Sequence, residues 1–304
     1  MIHMIEFWAM GCQVNVQLEA DEQGADVLRN LPQRFTDIEA TLTRFDTDSE
    51  LMRLNERAGE WVKVDDVLFA NIRAAKHTAL LTDGLYNPLI LSALVGSGYD
   101  RSFEQINAPA VTPTKPTPDW RGIEFNLKSN EVRIPVGAAL DLGGIAKGWT
   151  AATIADDLAE LGACLVNIGG DMVGRGAPGG LHGWPVEIED PFMGEAFTTI
   201  DIYNQAISTS GIDYRRWQSA DGTQQHHIID PRTGEPAVTD VLSATVIHPS
   251  ATTAEAYAKA IILQGAEHGL EWLNQQWYTA GLVFRQDGAA LATSTLIHER
   301  NISS

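Results

Sequence analysis

Apolar residues recur at two spacings along the chain, every second position in some segments and every third or fourth in others. From Cys12 to Leu18 apolar and polar residues alternate, as in a strand with one buried face. Helical spacing connects Leu28, Leu31, Phe35, Ile38 and Leu42. Pro32 favours a helix that begins near that residue, because proline fits the first turn of a helix and not its interior.

The same spacings predict the remaining regular elements. Further strands are predicted at 123–127, 131–134, 164–168, 186–188, 198–202, 227–229 and 242–247, with a last pair near the end of the chain. Further helices are predicted at 67–81, after Gly148 as far as Gly162, at 253–264 and at 267–275. Residues 169–183 hold seven glycines and no apolar period, so they are predicted to form a loop.

The order of these elements indicates the fold class. Strands arrive in pairs as often as they alternate with helices, which favours an α+β fold with mixed and antiparallel sheets and flanking helices over a doubly wound parallel sheet. Residues 108–118 hold four prolines and are predicted to be a surface connection between lobes. We expect residues 1–304 to fold either as one large domain or as two interleaved lobes, with a ligand in a cleft between lobes.

Composition and charge narrow the class of protein. The 304 residues are 44% hydrophobic, enough for a substantial core, and their formal charge of −19 opposes nucleic-acid binding, which needs clustered Lys and Arg. No stretch reaches the roughly 18 consecutive apolar residues of a membrane span, and the first residues do not resemble a signal peptide. The two cysteines, Cys12 and Cys164, are expected to be buried thiols of a cytoplasmic protein. Any phosphate ligand must therefore be held by local groups, against the overall field.

The densest chemical signal is the segment from Asp141 to Gly148, Asp-Leu-Gly-Gly-Ile-Ala-Lys-Gly, between a strand and a helix. Gly143 and Gly144 would let a ligand approach the backbone, while the helix start would offer N–H groups to an anion. Lys147 would add a positive charge. The segment matches neither the dinucleotide nor the nucleotide-triphosphate glycine motif. These residues alone are equally compatible with a phosphate-binding loop and with a plain turn that carries a surface lysine.

Three weaker segments follow. Residues 167–171, Asn-Ile-Gly-Gly-Asp, bring Gly170 and Asp171 to the end of a strand, an arrangement that is more often a turn than a site. Residues 208–211, Ser-Thr-Ser-Gly, lack the G-x-S-x-G pattern of a serine nucleophile, so Ser210 and Gly211 are better interpreted as ligand contacts. Two histidines open residues 226–234; on a strand they point to opposite faces, so only His227 is expected to face a cleft.

Together these segments resemble the flavin transferase family often called ApbE, in the same order and over nearly the whole chain. The resemblance extends to residues 43–55, to residues 83–88 and to the pair Met10-Gly11. Members of that family bind FAD in an extended cleft and, with magnesium, transfer its FMN half to a threonine of an acceptor flavoprotein, releasing AMP. Some members hydrolyse FAD instead. The resemblance therefore implies that FAD is the substrate of this chain.

The resemblance also implies FAD contacts for residues spread along the chain. These are Met10, Phe45, Leu85, Tyr86, Asn87, Asp141, Gly143, Lys147, Gly170, Asp171, Ser210 and Gly211. Two of them depart from the family pattern, which usually has tyrosine in place of Phe45 and aspartate in place of Asn87. Phe45 keeps an aromatic surface for the flavin, whereas Asn87 keeps a hydrogen-bonding group without its charge.

The sharpest departure concerns the metal. Residues 254–260 align with a family pattern Ala-Asp-Ala-x-x-Thr-Ala, whose aspartate and threonine bind magnesium beside a carbonyl that corresponds to Gly144. This chain has Glu255 and Lys259 at those two positions. A lysine only donates hydrogen bonds and repels a cation, so magnesium binding is in doubt. Our hypothesis is that the Lys259 ammonium, held by Glu255, takes over part of the cation's role; the alternative is a solvent-facing pair of opposite charges.

For the transferase, the acceptor hydroxyl would attack the flavin-side phosphorus and AMP would leave. Lys147 and Lys259 would stabilise the charge, and His227 is the candidate base. Three other functions stay open from the sequence. They are a relative that binds and carries FAD without catalysis, an FAD pyrophosphatase that uses water in place of the hydroxyl, and a flavin oxidoreductase that leaves FAD intact.

Overall fold

The computed structural model describes residues 1–112 and 115–300, with the backbone alone for Gln23 and residues 298–300. Hairpins and helices alternate along these residues. The strands are β1 (Ile2–Ala9), β2 (Cys12–Glu19), β3 (Val62–Lys63), β4 (Glu124–Asn126), β5 (Glu131–Arg133), β6 (Cys164–Ile168), β7 (Asp171–Arg175), β8 (Trp184–Glu189), β9 (Ala196–Ile202), β10 (Gln205–Gly211), β11 (Arg216–Gln218), β12 (Gln224–His226), β13 (Ile229–Asp230), β14 (Glu235–Pro236), β15 (Val241–His248), β16 (Ala280–Arg285) and β17 (Ala290–Ala292). The helices are α1 (Gln23–Arg29), α2 (Leu31–Leu42), α3 (Glu50–Glu56), α4 (Asp66–Leu81), α5 (Leu91–Gly96), α6 (Ala146–Ala159), α7 (Ala251–Gln264), α8 (Ala266–Leu273) and α9 (Ser294–Arg300).

The chain divides into two compact units that are interleaved along the sequence. The first unit takes Met1–Asp37, Lys147–Gly211 and Thr239–Ser304, and the second takes Ile38–Ala146 and Ile212–Val238. A single domain over residues 1–304 stays a prediction. No helix within residues 1–112 and 115–300 has the length and apolar composition that crossing a membrane requires.

The first unit is built on one large sheet with the strand order β1-β2-β6-β7-β10-β15-β16-β17. Each neighbouring pair in it is antiparallel. Successive residues of a strand point to opposite faces. Val166 therefore packs with Phe35 and Ile154 beneath α2 and α6. Its neighbour Leu165 packs on the other face with Trp184 of the β8–β9 hairpin. Both faces of the sheet are thus covered.

Two tight turns close hairpins of this sheet. Met10 and Gly11 join β1 to β2 with φ of 53° and 68°, and Gly169 and Gly170 join β6 to β7 with φ of 60° and 95°. Positive φ at both central residues defines the turn that best follows the twist of a hairpin. A side chain at Gly169 would meet Cys12 Cβ at 2.8 Å. The two turns therefore lie against each other, with Asp171 as the first residue of β7.

The sequence prediction of a loop over 169–183 is wrong for its first part. Residues 171–175 form β7, which pairs with β6 and with β10 inside the sheet. Gly174 is required by packing and not by a turn, because a Cβ atom there would lie 3.0 Å from Ile202 Cγ1. The expectation for the thiols is also only half met, because Cys164 is buried and Cys12 is half-buried.

The second unit contains the small sheet β3-β5-β4, the hairpins β11–β12 and β13–β14, and helices that include α4. Asp65 caps α4 by accepting the Leu68 N–H at 2.7 Å. The described residues of 108–118 have no regular structure, and Pro113 and Thr114 lie outside the described residues. This stretch does not separate the two units as expected. It lies within the second unit, where the Thr117 N–H donates to the Pro231 carbonyl at 2.9 Å.

Candidate functional site

The segment from Asp141 to Gly148 runs into α6, which begins at Ala146 and not after Gly148 as the sequence predicts. Its amides, however, already donate within the protein. The Gly143 N–H donates to Asp141 Oδ1 at 3.0 Å, and the Gly148 N–H donates to Glu255 Oε2 at 2.9 Å. The expectation that the amides of this segment are offered to a phosphate is therefore wrong for Gly143 and Gly148. A carboxylate near the positive end of α6 stabilises that helix instead.

Gly148 allows the close contact between α6 and α7. A Cβ atom at this position would lie 2.6 Å from Glu255 Oε2 and 3.2 Å from the carbonyl carbon of Ala251. Alanine normally stabilises a helix interior by about 1 kcal/mol relative to glycine. We expect Gly148→Ala to lower the free energy of unfolding by about 1–3 kcal/mol instead, because the packed neighbours must shift. Urea denaturation measures this, and a stabilised variant would contradict the packing described here.

Polar residues from four elements of the first unit gather beside this contact, and we call them the α6–α7 cluster. They are Lys147 of α6, Asp171 of β7, Ser208 and Ser210 of β10, and Glu255 and Lys259 of α7. Ser208 and Ser210 point to the same face of β10, because they are two residues apart on a strand. The order β7-β10-β15 of the sheet and the packing of α7 on it bring these residues together.

Lys147 pairs with Asp171 in this cluster. The Lys147 ammonium contacts Asp171 Oδ2, and the Ser208 hydroxyl donates to Asp171 Oδ1. The Asp171 side chain is 4% exposed and that of Lys147 is 21% exposed. A carboxylate so deeply buried requires a cation or hydrogen-bond donors, and here it has both. Asp171 therefore fixes the direction of the Lys147 side chain. The sequence predicts that this side chain is the phosphate-binding cation.

Glu255 and Lys259 lie one helical turn apart on α7 but do not form a solvent-facing pair. Glu255 is 1% exposed, and its burial raises the pKa of its carboxyl group, against the nearby charges of Lys259 and Lys147. Lys259 Nζ donates to the Glu255 carbonyl at 3.2 Å and to Ser210 Oγ at 3.4 Å. The alternative of an exposed ion pair is therefore wrong for Glu255.

These residues do not fit a magnesium ion. Magnesium prefers an octahedral set of oxygen ligands, whereas Lys259 brings an ammonium donor to the position where the family pattern has a ligand. The Glu255 carboxylate accepts from the backbone of α6, at Gly148. Within the chain as described, 1–112 with 115–300, no group of three or more His, Cys, Asp or Glu residues is arranged to hold a metal.

The second unit carries its own group around Asp141. Arg44 Nε contacts Asp141 Oδ2 at 2.9 Å, with side-chain exposures of 6% and 11%. The guanidinium lies against two rings that also contact each other, 4.3 Å from the centroid of Phe45 and 4.4 Å from that of Tyr99. Arg44 also donates to the Tyr99 carbonyl at 2.7 Å. Phe45 remains 47% exposed, so one face of its ring is open to solvent.

Residues 85–87, for which the family resemblance implies FAD contacts, make hydrogen bonds within the protein at Asn87. The Asn87 amide donates to Thr117 Oγ1 at 2.7 Å and to the Pro118 carbonyl at 3.0 Å. Its Oδ1 atom accepts the Leu89 N–H at 2.9 Å. Asn87 therefore anchors the proline-rich connection, and its hydrogen-bonding groups are used within the protein. Tyr86 is buried and Leu85 is half-buried.

The predicted strand at 227–229 is wrong, because the chain bends at His227 between β12 and β13. The buried ring of His226 stabilises this bend, because its Nδ1 accepts the Ile228 N–H at 3.3 Å and its Nε2 contacts the Ala237 carbonyl at 3.1 Å. His227 is half-buried at the bend. The different environments of the two histidines thus come from a bend and not from the two faces of a strand.

The buried His226 should make the stability of the folded protein depend on pH. Burial lowers the pKa of His226 below its usual value, partly offset by the Ala237 hydrogen bond, and burial also lowers the pKa of His248. The unfolded chain then binds more protons than the folded chain as pH falls below about 6.5, so stability is lost down to the folded-state pKa. We expect the melting temperature to fall between pH 7.5 and 5.5, less steeply in His226→Gln and least in the double variant with His248→Gln. Equal slopes in all three proteins would contradict this.

Sequence reasoning missed two residues of these groups. Arg44 lies inside the segment 43–55 that carries the family resemblance, so it was visible but had no assigned partner. Ser208 lies in β10, a strand that the sequence analysis did not predict. Its signal was the neighbouring Ser210, which has the same orientation on the strand.

Comparison with known proteins agrees with these features. The ApbE family model matches residues 10–283. An FAD:protein FMN transferase of Treponema pallidum (strain Nichols) is 31% identical over 290 residues, which cover 88% of this chain and 80% of that protein. One of Klebsiella pneumoniae (strain 342) is 28% identical over 281 residues, covering 88% of this chain and 79% of that protein.

Two crystal structures show the same fold. The ApbE protein of Thermotoga maritima has a TM-score of 0.85 at 28% identity, covering 97% of this chain and 98% of that chain. The apo form of the Pseudomonas stutzeri flavinyl transferase ApbE has a TM-score of 0.86 at 20% identity, covering 100% of this chain and 98% of that chain. The predicted α+β class with antiparallel sheets is confirmed. This chain belongs to the ApbE family.

Proposed function

We propose that this chain is an FAD:protein FMN transferase, an enzyme that moves the FMN half of FAD to a threonine hydroxyl of an acceptor flavoprotein and releases AMP. Two relatives that align with 88% of the chain carry the name FAD:protein FMN transferase. The observation that carries the proposal is the Lys147–Asp171–Ser208 arrangement at the start of α6. It presents a fixed ammonium group in a protein whose formal charge is −19.

The proposed reaction replaces the phosphoanhydride bond between the two phosphates of FAD with a phosphoester bond to the acceptor. The acceptor oxygen forms a bond to the flavin-side phosphorus, and the bond from that phosphorus to the bridging oxygen breaks. AMP leaves with the electron pair, and the hydroxyl proton goes to a base, for which His227 at its bend is the candidate. Such a reaction depends on positioning and on stabilising the phosphate charge. Lys147 supplies charge stabilisation, since its ammonium is already oriented by Asp171.

Further contacts to FAD are assigned by the family pattern and supported by exposure and position. Phe45 offers an open aromatic face, and Met10 lies at the tip of the β1–β2 hairpin in a left-handed conformation that methionine rarely adopts. Asp141 is held rigidly by Arg44, which suits a residue that must keep one orientation. Magnesium is not part of the proposed mechanism, because the residues present do not fit it. A cytoplasmic location stays a prediction.

Incubation with FAD, with and without a threonine-containing FMN-acceptor domain, tests the proposal through the AMP that is released. The transferase releases AMP only with the acceptor, in an amount that matches the FMN bound to it. Equal AMP release without the acceptor would identify a pyrophosphatase. FAD bound without any AMP would identify a flavin carrier. Bleaching of bound FAD by a reduced substrate, with the dinucleotide intact, would identify an oxidoreductase.

A further inference from the structure

The Lys259 ammonium occupies a place lined by oxygen atoms. Two of its contacts are the Glu255 carbonyl at 3.2 Å and Ser210 Oγ at 3.4 Å, one from its own helix and one from β10. Both oxygens are uncharged acceptors of the kind that also bind hard cations. Lys259 is half-buried, so its ammonium group stays near these atoms instead of pointing into solvent.

The Glu255 carboxylate ties this lysine to the first turn of α6. Its Oε2 atom accepts the Gly148 N–H at 2.9 Å, and Gly148 directly follows Lys147. The approach is tight, because a Cβ atom at Gly148 would lie 2.6 Å from the same oxygen. One buried carboxylate thus fixes α7, which carries Lys259, against the helix start that carries Lys147. Two ammonium groups belong to one rigid cluster.

The cluster supplies the kind of charge that a diphosphate needs. A dinucleotide's two phosphate groups require neutralisation, and a protein with a formal charge of −19 must provide it locally. Two lysines bring two ammonium groups: that of Lys147 is paired with the Asp171 carboxylate, and that of Lys259 donates to the uncharged oxygens of Ser210 and the Glu255 carbonyl. An ammonium group also donates hydrogen bonds to phosphate oxygens, so it can replace a metal in holding them.

We propose that the Lys259 ammonium takes the place of a divalent cation, so that this chain transfers FMN without a metal. The inference rests on the proposed function. Lys259 donates to phosphate oxygens together with Lys147, the P–O bond to the bridging oxygen breaks, and AMP carries away the electron pair. No metal ion and no change of oxidation state enter the balance. Glu255 is a positioning residue that holds the two helices together.

The test measures FMN transfer to the acceptor domain in EDTA and in magnesium, for the wild type, Lys259→Thr and Lys76→Thr. Lys76 lies on α4 outside the cluster, so its variant is the matched control for loss of a lysine. We expect wild type and Lys76→Thr to transfer FMN in EDTA within about twofold of their rates in magnesium. Lys259→Thr should lose about 100-fold in EDTA, as expected for loss of one charge-stabilising donor, and recover at least about tenfold in magnesium. Thermal unfolding of each variant checks that it is folded.

The outcomes separate the inference from the proposed function. Wild-type transfer that needs magnesium and stops in EDTA overturns the metal-free mechanism and leaves the transferase function intact. If no FMN is transferred under either condition, the transferase proposal fails, and calorimetric titration with magnesium in the presence of FAD decides the inference alone. Stoichiometric magnesium binding by the wild type would overturn it. Binding only by Lys259→Thr with Glu255→Asp would support it.

Discussion

Lys147→Ala is expected to lower FAD affinity at least about tenfold and FMN transfer on the order of 100-fold, since it removes a preorganised positive charge. It should also leave the buried Asp171 carboxylate without its cation. Breaking a fully buried ion pair lowers the free energy of unfolding by about 3–5 kcal/mol. We expect a loss of about 2 kcal/mol here, because the Lys147 side chain is 21% exposed. Fluorescence titration of FAD and urea denaturation measure the two effects.

The double variant Lys147→Ala with Asp171→Asn separates stability from function. Asparagine can still accept the Ser208 hydroxyl bond and carries no charge that needs a partner. Stability should return toward the wild-type value, whereas FAD binding and FMN transfer should stay low. A folded Lys147→Ala protein that binds FAD and transfers FMN like the wild type would contradict the role given to this lysine.

Arg44→Met has the largest expected effect on stability. It leaves Asp141 as a buried charge without its cation. It also removes a guanidinium that packs against the rings of Phe45 and Tyr99. We expect a loss of about 3–5 kcal/mol, which lowers the melting temperature by roughly 5–10 °C in a chain of this size. FAD affinity should also fall, because Asp141 would lose its fixed orientation.

Adding Asp141→Asn to Arg44→Met is the matched control. It removes the stranded charge, so most of the lost stability should return, while the affinity for FAD should not. A single Arg44→Met variant that melts within about 2 °C of the wild type would show that the pair contributes little, in which case Asp141 is oriented by other contacts.

Local patterns sufficed for most elements of this fold. The alternation from Cys12 to Leu18 corresponds to β2, and the helix predicted at 67–81 corresponds to α4, Asp66–Leu81. The strand β7 was missed because glycine breaks the local pattern there. Gly174 is present because Ile202 packs against it, a contact between strands that no local period shows.

The candidate groups were predictable as residues but not as partners. Asp141 and Lys147 stand in a glycine-rich segment between a strand and a helix, which is a local signal. Their partners depend on the order of the strands. Lys147 contacts Asp171, 24 residues away, and Gly148 contacts Glu255, 107 residues away. The sequence therefore predicted free amides at the start of α6, where the fold supplies a carboxylate from α7.

In the proposed function, this chain cleaves FAD between its two phosphates and leaves FMN on another protein. The most direct test is an intact-mass measurement of a threonine-containing acceptor domain after incubation with FAD and this chain, followed by mapping of the modified peptide. We expect one added FMN per acceptor, on threonine, and no addition when that threonine is replaced by alanine. An acceptor of unchanged mass, with FAD bound intact to this chain, would contradict it.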